Sequence, residues 1–244
     1  MDEQGGRPRG KYLLFALVLL LVSLPVVQDT RGGLIVLQLL FTGVLIAGMY
    51  AASASHMLLL AAAVLALPAL ISNWTRGPGQ DPTIMATGLV GSIGLLSLVG
   101  WVIISTTVRH PRVTRDTIYA ALAVYLLIGF AFAFCYSLIT IRNPGAFRGP
   151  SGEAIGPLEA MTTPAQFSSV VYYSLVTLTT LGYGDILPAR PEARLLSSLE
   201  AVFGQFYVAT VVGWLVGRQV SQSMLEGAQH AAHPPGHSHG QETP

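Results

Sequence analysis

The sequence predicts an all-α membrane protein with six transmembrane helices and one shorter helix that enters the membrane without crossing it. Three observations lead to this fold class. First, 52% of the 244 residues are hydrophobic and only 10% are charged, with a mean hydropathy of +0.57. Second, six apolar runs approach the roughly 20 residues that a helix needs to cross a bilayer. Third, a seventh apolar segment, too short to cross, lies between the last two runs. The net charge of +1 predicts no nucleic-acid partner.

The first four apolar runs follow a polar N-terminal stretch, residues 1–11, which contains three basic side chains. A basic start before an apolar run is also typical of a signal peptide, but no small-residue cleavage site follows Val27, so we predict a retained helix. The fourth run is rich in glycine and serine, which predicts a face for close helix packing. The four runs are residues 12–27, 33–54, 56–71 and 83–108, and the small residues are Gly88, Gly91, Ser92, Gly94, Ser97 and Gly100.

A short basic segment, residues 109–115, joins the fourth run to the fifth. Its Arg109, Arg112 and Arg115 predict a cytoplasmic loop by the positive-inside rule. The basic N-terminus is predicted on the same side, which agrees with an even number of crossings between the two segments. The fifth run covers residues 116–141.

The C-terminal part contains a short helix and a glycine motif between two long apolar runs. Thr163-Pro164-Ala165-Gln166 has the form of a capping box and predicts the start of the short helix. Thr180-Leu181-Gly182-Tyr183-Gly184-Asp185 follows that helix. Its two glycines allow backbone conformations that side chains disfavour, so that successive carbonyls can face one side. A row of carbonyls is a ligand set for a dehydrated cation.

This motif, preceded by Thr177 and Thr179, resembles the selectivity filter of prokaryotic potassium channels of the pore-loop superfamily. The resemblance implies passive, potassium-selective conduction in the cell membrane, with lipids as neighbours, both termini cytoplasmic, no enzymatic step and no cofactor besides the permeant K⁺. Because one chain supplies one filter strand, we expect a homotetramer around a central pore. The implied pore domain, residues 116–218, contains an outer helix (116–141), turret (142–163), pore helix (164–179), filter (180–185) and inner helix (193–217).

The resemblance also implies a role for each filter residue. The hydroxyl of Thr180 and the carbonyls of Thr180, Leu181, Gly182 and Tyr183 are the expected K⁺ ligands, and Gly184 closes the run at the outer mouth. The ring of Tyr183 is expected to pack on pore-helix aromatic residues, and Asp185 to accept a hydrogen bond from a pore-helix side chain. The candidate supporting residues are Asp185, Thr177, Thr179, Tyr172, Tyr173 and Glu200.

Glu200 is the only acidic residue within the last apolar run. An intramembrane carboxylate is a functional candidate, and a hydrogen bond to pore-helix hydroxyls such as those of Thr177 or Thr179 would support the filter from behind. A protonated glutamate, or one at the level of the membrane interface, is the alternative.

Other residues of the inner helix are candidates for gating and for the lining of the cavity. Gly204 has the position of a hinge glycine in similar channels, although packing against a neighbouring helix is an equal alternative. The stripe Gln205, Val208 and Val212 could face the cavity, and Val212 or Val216 could form a hydrophobic constriction. The remaining residues, 219–244, are expected to be a disordered, histidine-containing tail.

Residues 12–108 occupy the position of a voltage-sensing domain, but its gating charges are missing. The arginines at 109, 112 and 115 have a sensor-like spacing, yet the fourth run is uncharged and the second and third runs contain no Asp or Glu. We therefore interpret them as membrane anchors, with a degenerate sensor as the alternative. The short linker 109–115 predicts that this domain packs on its own subunit's pore, without domain swapping.

Leu181 stands where the related filters more often have valine. Only the Leu181 carbonyl is expected to face the ion, so we expect potassium selectivity to be retained. A weakly selective cation channel and a potassium-transporter-type subunit are the alternatives, although such transporters carry four diverged pore repeats in one chain. An intramembrane serine protease is disfavoured because Gly91-Ser92-Ile93-Gly94 has the wrong order for a nucleophile motif. A non-conducting membrane sensor with a pore-like fold is a third class.

Overall fold

The computed structural model describes residues 9–27, 32–52, 55–75, 81–109, 114–155 and 163–232. Within these ranges the chain forms seven helices and three two-residue strands. Six of the helices are long and apolar enough to cross a membrane, which confirms the predicted number, and α6 is the short helix before the motif. The helices are α1 Arg9–Val27, α2 Gly33–Ala52, α3 His56–Trp74, α4 Pro82–Arg109, α5 Arg115–Arg142, α6 Pro164–Leu178 and α7 Pro191–Ala232.

The start of α6 differs from the prediction in one detail. The helix begins at Pro164 with Thr163 in an extended conformation, but the Thr163 side chain makes no capping hydrogen bond, and Gln166 Oε1 is buried without a partner in the described chain. The predicted capping box is therefore wrong. Proline at the first helical position supplies no N–H that needs a cap and presets the helical φ, so the helix can begin without the reciprocal bonds.

Helix α7 continues well beyond the predicted inner helix, to Ala232. The expectation of a disordered tail over residues 219–244 is thus wrong for its first part, and residues 233–244 lie outside the described residues. The physical reason is local: residues 219–232 contain Gln, Met, Leu, Glu and Ala, which favour helix, and proline is absent before Pro234.

The first four helices pack on one another and on α5 and α6 of the same chain. Helices α1 and α4 both lie against α5, as the short linker predicts. The predicted packing face of α4 is confirmed: a Cβ at Gly88 would lie 2.0 Å from Ser72 Cβ, and one at Gly91 would lie 2.7 Å from the Leu65 carbonyl oxygen. Of the three linker arginines, Arg112 lies outside the described residues, as do the side chains of Arg109 and Arg115.

A small antiparallel sheet that the sequence did not predict joins the segment after α5 to the segment after the motif. Strand β1, Phe147–Arg148, lies between β2, Ala154–Ile155, and β3, Leu187–Pro188. The bond from Ala189 N to Ala146 O, 2.8 Å long, continues the pairing. The sheet therefore fixes the position of the segment after the motif relative to the end of α5.

Candidate functional site

The sign of the backbone φ angle alternates along the glycine motif. Thr180, Gly182 and Gly184 have φ values of +57°, +58° and +78°, whereas Leu181 and Tyr183 between them have negative φ. Such an alternation allows successive carbonyl groups to face the same side of the strand. No donor within the described part of the chain bonds to the carbonyls of Thr180, Leu181, Gly182 or Tyr183. The strand therefore presents a row of free carbonyl oxygens.

The other edge of the strand is held by the end of α6. The amides of Leu181 and Gly182 both donate to the carbonyl oxygen of Val176, at 2.9 and 3.3 Å, and Thr180 N donates to Thr177 O at 2.9 Å. The last carbonyls of a helix have no partner within it, so the motif satisfies them with its own amides. The same helix end carries a partial negative charge, which favours a cation beside the inner end of the motif.

Gln205 of α7 contacts the first residue of the motif directly. Its Nε2 donates to Thr180 Oγ1 at 3.0 Å, and that hydroxyl donates in turn to Thr179 O at 2.7 Å. The sequence predicted Gln205 as a cavity residue but did not predict this bond. Thr180 is the one described non-glycine residue with positive φ, a strained conformation, and these bonds fix its side chain in place.

Glu200 is completely buried behind α6 and bonds to a hydroxyl of that helix, as predicted, but the hydroxyl is not that of Thr177 or Thr179. The hydroxyls of Thr177 and Thr179 donate to the carbonyls one turn back in their own helix, those of Tyr173 (2.9 Å) and Leu175 (2.7 Å). The carboxyl group of Glu200 is instead hydrogen-bonded to Ser174 of α6 and Tyr136 of α5.

Sequence reasoning missed both of these partners. The signal available for Tyr136 was a polar group within the apolar fifth run, and Ser174 lies on the same helix as the threonines that were considered. Ser174 Oγ also lies 2.7 Å from the Gly129 carbonyl oxygen of α5. The outer, pore and inner helices are therefore joined at one buried polar cluster.

The two tyrosines of α6 have different roles. Tyr172 donates to Asp185 Oδ2 at 2.8 Å, which is the predicted contact between Asp185 and a pore-helix side chain. This hydrogen bond raises the pKa of Tyr172, so the phenol remains the donor. Tyr173 instead bonds to Ser197 Oγ at 2.6 Å and packs edge-on against the ring of Tyr136.

The expected packing of the Tyr183 ring on the pore-helix aromatic residues Tyr172 and Tyr173 is not seen with Tyr173 of the same chain, and for the assembled tetramer it stays a prediction. No ring contact joins Tyr183 and Tyr173 within the described residues, because Tyr173 faces α5, whereas Tyr183 is 67% exposed. The ring of Tyr183 therefore lies on the surface of the single chain.

The inner helix passes α6 at very close range. A Cβ at Gly204 would lie 2.1 Å from the Leu178 carbonyl oxygen, and α7 continues through this position. The geometry thus favours packing over the hinge role. Gln205, Val208 and Val216 are exposed, while the side chain of Val212 lies outside the described set. Large apolar side chains of α7 are also exposed: Leu195, Leu199, Val202, Phe203 and Phe206.

Comparison with known proteins agrees with this geometry. A 91-residue segment, 37% of this chain, is 32% identical to the two pore potassium channel c of Oryza sativa subsp. japonica. Segments of 27% and 26% of the chain are 31% identical to the inward rectifier potassium channel Kirbac3.1 of Paramagnetospirillum magnetotacticum and 32% identical to a putative potassium channel protein of Rhodopseudomonas palustris. The matches span only 19%, 22% and 16% of these three relatives.

No solved structure matches the chain. The model of one protein family, described as ion channel, matches residues 96–218, which are half of the chain and include α5, α6, the glycine motif and the first part of α7. The chain therefore belongs to this ion channel family.

Proposed function

We propose that four copies of this chain form a potassium-selective channel, with Thr180, Leu181, Gly182, Tyr183 and Gly184 as its filter. The observation that carries the proposal is the backbone of this motif: the sign of φ alternates along it, its carbonyls accept no hydrogen bond within the described residues, and the amides of Thr180, Leu181 and Gly182 donate to carbonyls at the end of α6. Backbone carbonyls that replace the hydration shell of a cation are the known means of K⁺ conduction. The three relatives are named as potassium channels, which supports the same ion.

The tetramer is proposed because one strand can supply only one side of an ion site. In the single chain Leu181 and Tyr183 are 55% and 67% exposed, and the apolar side chains of α7, such as Phe206, are exposed as well. Four-fold assembly places four filter strands around one axis and covers these surfaces with neighbouring subunits. Conduction is passive and needs no cofactor, since the backbone itself supplies the ligands.

We place the channel in the cell membrane with both termini in the cytoplasm. The basic residues before α1 and between α4 and α5 support this orientation. The turret sheet and Asp185 then lie on the outer side, and Gln205, Val208 and Val216 of the inner helix line the path toward the cytoplasm. Four copies of Val216 form a candidate hydrophobic constriction.

The test is current through the purified protein in a planar bilayer, with potassium on one side and sodium on the other. We expect a reversal potential near the potassium equilibrium potential and an open probability that varies little with voltage. A reversal potential near zero would favour a weakly selective cation channel, and a steep voltage dependence would favour the degenerate sensor. Absence of current from a correctly assembled tetramer, verified by native mass spectrometry, would contradict the channel.

A further inference from the structure

The buried cluster behind the filter contains a carboxyl group with no cation beside it. Glu200 has no exposed surface, and among the described residues its side chain forms no ion pair. A carboxylate is stable in such a place only when charge or several hydrogen-bond donors compensate it. The number of protons available for hydrogen bonds in the cluster decides whether the ionised or the neutral form of Glu200 is compatible with it.

Ser174 has one hydroxyl proton but two neighbouring acceptor positions. Its Oγ lies 2.7 Å from the Gly129 carbonyl oxygen and is also hydrogen-bonded to Glu200 Oε1. A carbonyl oxygen can only accept, so the bond to Gly129 uses the serine proton. The bond between Ser174 and Glu200 then needs a proton from the carboxyl group. Glu200 Oε2 accepts from the hydroxyl of Tyr136, which satisfies the second oxygen.

Among the residues that the structure describes, the surroundings of Glu200 supply no other charge. The titratable groups that face Glu200 are Tyr125, Cys135 and Tyr136 from α5 and Tyr173 from α6. All of these groups are neutral in the usual pH range. Tyr173 directs its hydroxyl to Ser197 of α7, so it does not compensate the carboxyl group directly. A neutral acid is the form for which every donor and acceptor of the cluster has a partner.

We propose that Glu200 binds a proton at neutral pH and, as a neutral carboxylic acid, joins α5, α6 and α7 so that α6 holds the filter. Glu200 is thus a positioning residue that acts through Ser174. The effect on conduction rests on the proposed channel function, whereas the protonation itself does not.

Loss of the proton has a defined structural consequence. An ionised Glu200 would attract the Ser174 proton, and the bond from Ser174 to Gly129 of α5 would be lost. The end of α6 carries Val176, whose carbonyl holds two filter amides. Because four subunits change together, we expect alkaline pH to lower the potassium current about tenfold or more.

The first experiment measures protonation without conduction. An infrared difference spectrum of the wild type against Glu200→Gln, in the purified tetramer at neutral pH, isolates the signal of this side chain. We expect the carbonyl stretch of a protonated carboxylic acid, which disappears in the wild type at alkaline pH. Carboxylate bands at neutral pH would overturn the proposal even if the channel conducts.

The second experiment measures current against symmetrical pH. Gln presents an N–H donor to Ser174 and an oxygen acceptor to Tyr136, so Glu200→Gln should conduct at neutral pH within about twofold of the wild type and lose the alkaline decline. The matched control is Glu192→Gln, which neutralises an exposed carboxylate bonded to Asn143 at the start of the same helix. The Glu192→Gln channel should keep the decline of the current at alkaline pH.

Three results would overturn the proposal: a Glu200→Gln tetramer that does not assemble, an alkaline decline that survives in Glu200→Gln, and a wild-type current unaffected by alkaline pH. A wild type that never conducts refutes the proposed function instead, and the infrared result then decides the protonation alone. The two failures are therefore distinguishable.

Discussion

Replacement of Gly182 by alanine tests whether ion conduction depends on the alternating sign of φ in the filter backbone. Gly182 has φ of +58°, and an added Cβ would meet no atom within 4 Å in the single chain. The penalty is thus conformational. In this left-handed region of φ, a residue with a Cβ has a conformational free energy about 1–2 kcal/mol higher than glycine. The penalty amounts to about 4–8 kcal/mol when each of four subunits carries the substitution. Since 1.4 kcal/mol is about tenfold in an equilibrium, the conducting conformation should fall at least about a thousandfold.

Gly152 of the turret supplies a matched control. Its φ is +81°, and an added Cβ there also has open space in the single chain. Gly152→Ala therefore carries a similar backbone penalty at a place that contacts no ion. Both variants are assayed in planar bilayers under the potassium and sodium gradient, and thermal unfolding of each tetramer is recorded in potassium and in sodium.

We expect Gly152→Ala to retain selective current and Gly182→Ala to lose it, together with the stabilisation of the tetramer by potassium. If Gly182→Ala conducts with unchanged selectivity, the alternating backbone is not the origin of ion binding. Equal loss of selective current in both variants would show that the backbone strain acts through folding of the chain and not through the filter.

Three further substitutions test the supports of the filter. Gly204→Ala should destabilise the tetramer by about 1–3 kcal/mol in thermal unfolding, because its Cβ would lie 2.1 Å from the Leu178 carbonyl oxygen; unchanged stability with altered opening would favour the hinge. Tyr172→Phe removes the donor to Asp185 and should shorten single-channel openings while selectivity is kept; unaltered open times would show that the bond is dispensable. Gln205→Leu removes the donor to the innermost filter hydroxyl and should change the potassium concentration of half-maximal current about fivefold, and an unchanged titration would refute that role.

The helices could be predicted because their signals are local. An apolar run of membrane length identifies a spanning helix wherever it packs, and Pro164 marks the start of α6. The end of α7 was predicted too early because the apolar pattern stops near Arg218, whereas backbone propensity continues to favour helix. The three strands were missed because two-residue strands have no periodicity, and they pair across the whole of α6.

The alternating backbone of residues 180–184 lies in one contiguous motif that the sequence singles out, whereas the partners of the hydroxyls could not be predicted. A threonine or serine within a helix bonds by default to a carbonyl of the preceding turn, as Thr177 and Thr179 do. Ser174 differs because Gly129 lets α5 approach: a Cβ there would lie 3.0 Å from Leu175 Cδ2. Which hydroxyl crosses to another helix thus depends on the distance between helices, which a pattern within one segment does not contain.

The geometry of the site explains why its supports are spread over three helices. Carbonyls that bind an ion cannot also accept hydrogen bonds from the protein, so the filter has only its amides and the Thr180 hydroxyl with which to be held. The amides use the end of α6, and the hydroxyl uses Gln205 of α7. The orientation of α6 must then be fixed from behind, where Glu200 and Ser174 lie. A substitution that breaks the hydrogen bonds of this buried cluster should therefore act on the filter through the position of α6, although it touches no ion.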